Sequence, residues 1–183
     1  MLISISNRKP FGFSLVELLV VIAIFGILAS FAIPSYQAWI QNSMTRTAAE
    51  SIQTGIQIAR AEAVKRNASV QFDLRGADSA WTVCVRPSPA GACPSPDNAT
   101  TVQSRGVKEG SSTNVDVETT AAGPYVFSPF GVITSPAGPV TFDIKNGTLA
   151  SADKRDLRVV IGVGGSVRMC DPLVSTTTDP RKC

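Results

Sequence analysis

The sequence predicts an α+β protein: a long N-terminal helix, membrane-spanning in its first half, packed on an antiparallel β-sheet domain. Three observations predict it. Residues 13–33 form an apolar run in which Glu17 is the only charge. Apolar and small residues then recur at helical spacing as far as Ala63. Beyond residue 67 the pattern changes to strand-like alternation broken by turn residues.

The apolar run is long enough to cross a bilayer, which takes about 20 apolar residues. Arg8 and Lys9 precede it and should stay cytoplasmic by the positive-inside rule, leaving residues beyond Pro34 on the periplasmic or outer side. An ordinary secretory signal is cut after its apolar core at a small-residue site, and Ala29 and Ser30 are a weak version of one. An acid inside hydrocarbon is costly, so Glu17 demands a functional partner.

Pro34 removes a helical hydrogen bond, and the helix is expected to continue past it with a local loosening. Ile40, Met44, Ala48, Ile52, Ile56, Ala59 and Ala63 share one face, while Gln41, Arg46, Glu50, Gln53 and Arg60 occupy others. Such an amphipathic half must bury its stripe on something, and the following strands can supply a sheet. Tyr36 and Trp39 fit the membrane–water boundary. Glu62 can pair with Lys65 and Arg66, and Asn67 can end the helix.

Val70, Phe72 and Leu74 alternate with polar residues, as do Trp81, Val83 and Val85, and the turn 75–79 joins them into a hairpin. Residues 86–124 are rich in Pro, Gly, Ser, Thr and Asn and read mainly as loop, with one short strand near Val115–Val117. Strands follow at Tyr125–Phe127, Val140–Ile144, Leu157–Ile161 and Val167–Cys170. The tail beyond Asp171 is polar and needs Cys183 to hold it.

The 183 residues suffice for one domain plus a membrane helix. Their four cysteines all follow the apolar run, and an even number in an exported domain points to disulfides, with three connectivities open. Cys84–Cys93 and Cys170–Cys183 are favoured because short loops close more readily. Zinc is disfavoured by the absence of any C-x-x-C pair and of histidine. The lack of histidine also removes His-dependent triads. Asp153 and Asp156 beside Lys154 and Arg155 read as a solvated turn. Gly162-Val163-Gly164-Gly165 lies between strands, whereas a phosphate-binding loop needs a helix after it. No enzyme, cofactor or metal is expected.

The net charge of +3 falls to +1 once Arg8 and Lys9 are set aside. Residues 145–183 carry seven basic and four acidic side chains, a net of +3, against −2 for residues 13–144. The C-terminal end is therefore mildly basic, a weak electrostatic lead.

Gly12, Phe13, Glu17 five residues into the chain that would begin at Phe13, and Pro34 together resemble the type IV prepilin leader and N-terminal helix. The resemblance covers roughly residues 8–34. It implies an aspartyl prepilin peptidase that cuts Gly12–Phe13 and methylates the new amine. It divides the chain into a leader (1–12), a helix (13–66, spanning the membrane over 13–33) and a β-rich exported domain (67–183). A narrower resemblance, to FimT/FimU minor pilins and GspH pseudopilins, rests on three later stretches. They are Ala59–Asn67, Phe127-Ser128-Pro129-Phe130-Gly131, and the pair Leu157–Ile161 with Gly165–Cys170.

These resemblances imply a minor pilin in a tip or assembly-priming complex, anchored in the bacterial inner membrane before it enters the filament. Its partners would be other minor and major pilins and the prepilin peptidase, with Glu17 serving assembly. Two alternatives stand beside it: a pseudopilin of type II secretion, and a FimT-like subunit that binds double-stranded DNA for uptake. For the last, FimT proteins carry Gly-Arg-x-Arg where this chain has Gly165-Ser166-Val167-Arg168, which leaves one phosphate contact and weak binding. Arg168, Arg158, Arg155, Lys154, Arg181 and Lys182 are the candidates for that contact.

Overall fold

The computed structural model describes residues 12–109 and 111–183. The leader up to residue 11, with Arg8 and Lys9, lies outside the described residues. The chain divides into two compact units, Met1–Gln37 and Ala38–Cys183.

Helix α1 spans Leu15–Arg66 and includes Pro34. Its start is set by Ser14, whose Oγ accepts the Glu17 N–H at 3.1 Å, while Leu18 N–H closes the first turn on Ser14 O. Its end is a left-handed cap. Asn67 has φ +49°, Asn67 N–H bonds Val64 O, and Ala68 N–H bonds Ala63 O. Those two bonds satisfy carbonyls that the last turn would otherwise leave open.

In the first unit the helix has no buried face. Leu15, Val16, Phe25, Leu28 and Phe31 are all more than half exposed. Its most apolar window has a mean hydropathy of 2.7 and is not buried at all, which makes it long and apolar enough to cross a membrane. Leu15–Ile33 rises about 28 Å, close to the thickness of bilayer hydrocarbon.

The second unit is built on two antiparallel sheets. The strands are β1 (Val70–Leu74), β2 (Trp81–Val85), β3 (Thr101–Arg105), β4 (Val115–Thr119), β5 (Tyr125–Phe127), β6 (Ile133–Ser135), β7 (Val140–Asn146), β8 (Leu157–Ile161) and β9 (Val167–Cys170). One sheet runs β3-β2-β1-β5-β6 and the other β4-β7-β8-β9. The helix brings Ala48, Ile52, Ile56, Ala59 and Ala63 into a single core with Phe72, Trp81, Tyr125, Phe142 and Ile161. Ile40 and Met44, on the same stripe, are half-buried.

Small residues set how closely helix and sheet approach. Thr45, Ala49, Ser51 and Gly55 are buried beside the apolar stripe. A Cβ on Gly55 would lie 2.7 Å from Phe72 Cε2 and 2.9 Å from Trp81 Cδ2, so the glycine makes room for both rings. Trp81 Nε1 donates to Ser51 Oγ at 2.8 Å, which removes the cost of burying an indole N–H. Phe72 is the hub of the aromatic core, with ring centroids 5.7 Å from Trp81, 6.2 Å from Tyr125 and 6.1 Å from Phe142.

Two strands correct the reading of the sequence. Residues 86–124 hold β3 as well as β4, and β6 follows β5. Strand β3 has a single aliphatic residue, Val102, because it is a polar edge strand held by backbone bonds to β2. Strand β6 has three residues, too few for alternation to show.

Candidate processing and assembly site

A short exposed stretch lies ahead of the helix. Gly12, Phe13 and Ser14 have no regular structure and are exposed, with Phe13 at 84%. Among the described residues, a side chain at Gly12 would meet nothing within 4 Å.

Glu17 occupies the third helical position after the Ser14 cap. Ser-x-x-Glu is the spacing of a capping box, and a carboxylate there complements the positive end of the helix dipole. Glu17 is also the only charge in the span, and every large apolar side chain from Leu15 to Ile33 is at least half exposed. Monomeric soluble proteins rarely leave so much contiguous apolar surface open to water.

The three stretches that carry the narrower resemblance meet at one place in the second unit. Arg60 Nε donates to Gly131 O at 3.0 Å. Gly131 and Gly165 both have positive φ, +72° and +75°. A Cβ on Gly165 would overlap Gly131 O, a backbone atom. The helix end, the β5–β6 loop and the β8–β9 turn are therefore locked together through one carbonyl, and only glycine fits at the turn. Nearby, Glu62 is bonded by Arg66 at 2.6 Å and Lys65 at 3.0 Å, which together hold its carboxyl below its ordinary value.

Both disulfides are intramolecular and local. Cys84–Cys93 has an S–S distance of 2.10 Å and Cys170–Cys183 one of 2.08 Å. The first loop is also pinned to β1. Cys93 N–H donates to Asp73 Oδ2, and Gln71 Nε2 donates to Asp73 Oδ2 at 3.0 Å and to Gly91 O at 2.8 Å. The second ties the tail to β9, assisted by a backbone β-bridge between Asp171 and Lys182.

The six basic candidates differ in what already engages them. Arg158 is engaged by Asp143 in two bonds of 2.6 and 3.0 Å, because β7–β8 register sets those residues opposite each other. Arg181 is held by Asp179 at 2.8 Å, and that guanidinium pulls the Asp179 carboxyl down to about 2. Lys182 Nζ reaches Ser175 O at 3.3 Å. Arg168 is exposed on β9, an edge strand, with its guanidinium 3.5 Å from Cys183 O. Arg155 and Arg181 share a groove that neither Arg158 nor Arg168 lines. Lys154 precedes Arg155 in the β7–β8 connection and is half-buried. The sequence hid two contacts that organise this end of the domain: the Asn42 clamp on residues 153–155 and the convergence on Gly131 O. Among the described residues, no group of three or more His, Cys, Asp or Glu side chains could hold a metal.

A span-length apolar helix start, a half-buried helix running into two antiparallel sheets, and an exposed glycine–aromatic pair at the front define a pilin-like protein. Comparison with known families agrees. The family described as "Type II transport protein GspH" matches residues 48–165, and the prokaryotic N-terminal methylation motif matches residues 7–33. The chain therefore belongs to the GspH family of minor pilins and pseudopilins, whose members are structural subunits.

Among solved structures, the type IV minor pilin FimU of Pseudomonas aeruginosa superposes with a TM-score of 0.53 at 18% identity, over 72% of this chain and 92% of that one. Among curated proteins, the type IV major alpha-pilin of Moraxella bovis is 48% identical over 44 residues, 24% of this chain and 28% of that protein. The type IV major fimbrial protein FimA of Dichelobacter nodosus is 47% identical over 51 residues, 28% of this chain and 31% of that protein. The matched stretch thus spans less than a third of the length of these curated relatives.

Proposed function

We propose that the chain is a minor pilin of a type IV pilus, working in a tip or assembly-priming complex with other minor and major pilins. A prepilin peptidase removes residues 1–12 and methylates the Phe13 amine. Residues 13–33 hold the subunit in the inner membrane with its N-terminus cytoplasmic. The β-rich part, residues 67–183, then faces the periplasm and later the outside of the filament.

Glu17 carries this reading. It is the one charge in a bilayer-length apolar run, and a charge in hydrocarbon calls for a counterion. Cleavage at Gly12–Phe13 creates a cationic amine four residues before Glu17. A Glu17 carboxylate can neutralise its own Phe13 amine or that of a neighbouring subunit. Pairing in a low-dielectric filament core offsets part of the desolvation of both ions. The apolar helix surface then has a second burial partner besides lipid: the same surface of other subunits.

The names of the Moraxella and Dichelobacter proteins support a pilus over a secretion pseudopilus. DNA capture gains little support, since Arg158 and Arg181 are already engaged by carboxylates. A Glu17→Ala chain should be cleaved normally and be depleted from sheared pili. Wild-type incorporation of that variant would remove the assembly role from Glu17.

A further inference from the structure

The sheet edges of the second unit are not equally closed. The outer strands are β3 and β6 in one sheet and β4 and β9 in the other. The ladders that hold β3 and β6 each carry a register shift, and the Val117 N–H of β4 is taken by Ala77 O at 2.7 Å. Bulges and covered backbone keep an edge from pairing with another chain. Strand β9 lacks the first protection, since it pairs with β8 without a shift. The bond from Gly162 N–H to Ser166 O, 2.8 Å long, sets the alternation along it. Arg168 and Cys170 direct their backbone groups to β8, and Val167 and Met169 direct theirs outward. Among the described residues no hydrogen bond reaches those outward groups.

Directly after β9 the same edge is already in use. Asp171 N–H donates to Arg181 O at 2.7 Å, beside the parallel bridge to Lys182, and Cys170–Cys183 holds the tail there. The edge thus pairs where a segment is supplied and stands open over Val167–Met169. Beside that opening a groove of about 730 Å³ separates the end of α1 from β9, and Arg60, Ala61, Val64, Lys65, Ser166 and Val167 line it. Val64 is more than half exposed and Val167 is half-buried, so apolar surface is left uncovered. None of the lining residues is acidic. Arg168 is exposed and points to the opposite face of the strand from Val167.

We propose that the outer edge of β9 docks an extended segment of another pilin subunit. That segment carries an apolar residue over the Val64–Val167 groove and a carboxylate opposite Arg168. The inference rests on the reading that the chain assembles with other pilins. Backbone pairing supplies affinity, and the groove and Arg168 select the segment. A second copy of this chain is a poorer occupant. Antiparallel pairing of β9 with β9, centred on the open stretch, sets Arg168 directly opposite Arg168, and like charges so placed are destabilising.

The test compares the full chain in detergent micelles, alone and after co-purification with the other pilins of its pilus. Hydrogen–deuterium exchange is read at the Val167 and Met169 amides. In the complex both should slow about fivefold or more, the effect of one backbone hydrogen bond each. Val167→Pro removes one outward N–H and no bond to β8, and proline is tolerated on an edge strand, so this variant should lose the Met169 protection. Arg168→Glu should co-purify less well than wild type. Unchanged exchange in β7 would report an intact fold in both variants. A complex in which the two amides exchange as fast as in the chain alone would overturn the inference. So would protection that appears in the chain alone and grows with its concentration, which is self-pairing, or undiminished co-purification of Arg168→Glu. A chain that co-purifies with no other pilin would overturn the assembly reading itself, and this inference with it.

Discussion

Gly165→Ala tests the junction that joins the helix end to both sheets. At φ +75° an L-residue costs about 1–2 kcal/mol relative to its ordinary conformations. The added Cβ would also overlap Gly131 O, a backbone atom that cannot swing aside, and would sit 3.3 Å from Arg60 Nε. Relief requires moving the β5–β6 loop or the β8–β9 turn, and overpacking of this kind costs about 1–3 kcal/mol. The two effects sum to roughly 2–5 kcal/mol, a large part of a typical domain stability of about 5–15 kcal/mol. Urea unfolding followed by the fluorescence of buried Trp81 should show the loss. At an m-value of about 2 kcal/mol/M, the midpoint should fall by roughly 1–2.5 M. Gly164→Ala is the control, because a Cβ there meets nothing within 4 Å, and it should stay within about 0.5 kcal/mol of wild type. A Gly165→Ala protein as stable as the control would refute the argument that this turn requires glycine.

Two further outcomes follow from the same geometry. Gly55→Ala gains about 1 kcal/mol of helix propensity but drives a methyl to 2.7 Å from Phe72 Cε2, with overpacking worth about 1–3 kcal/mol. Net stability should therefore fall, and a more stable variant would show that the Phe72 and Trp81 rings can yield. The Asp179 carboxyl, bonded by Arg181, should titrate near 2 in the folded protein rather than at its ordinary 3.8. A lowered carboxylate contributes stability that is fully present above the unfolded value and is lost as pH falls toward 2. Carboxyl carbon shifts measured against pH check this, and Arg181→Ala should return the midpoint toward 3.8.

What the sequence revealed depended on how local each signal is. The helix stripe from Ala48 to Ala63 and the β1–β2 hairpin are legible because their periods repeat within one element. Strand β3 has no such period: it is polar and held through its backbone, and β6 is too short. Gly12, Phe13 and Glu17 suggest a site as a unit because they lie within six consecutive positions. The basic residues were legible as charges and not as free charges. Arg158 is engaged only because β7–β8 register sets it against Asp143, and Arg181 because a tail turn brings Asp179 to it. The Arg60–Gly131 bond spans 71 positions and the Asn42–Arg155 bond 113, so neither leaves a pattern in a short window.

The most direct test of the account is the intact mass of the subunit recovered from sheared pili, with its N-terminal residue sequenced. The account predicts a chain that begins at Phe13 with a methylated amine and retains the whole apolar helix. A mature chain that begins anywhere else, or that keeps its leader within the filament, would contradict it.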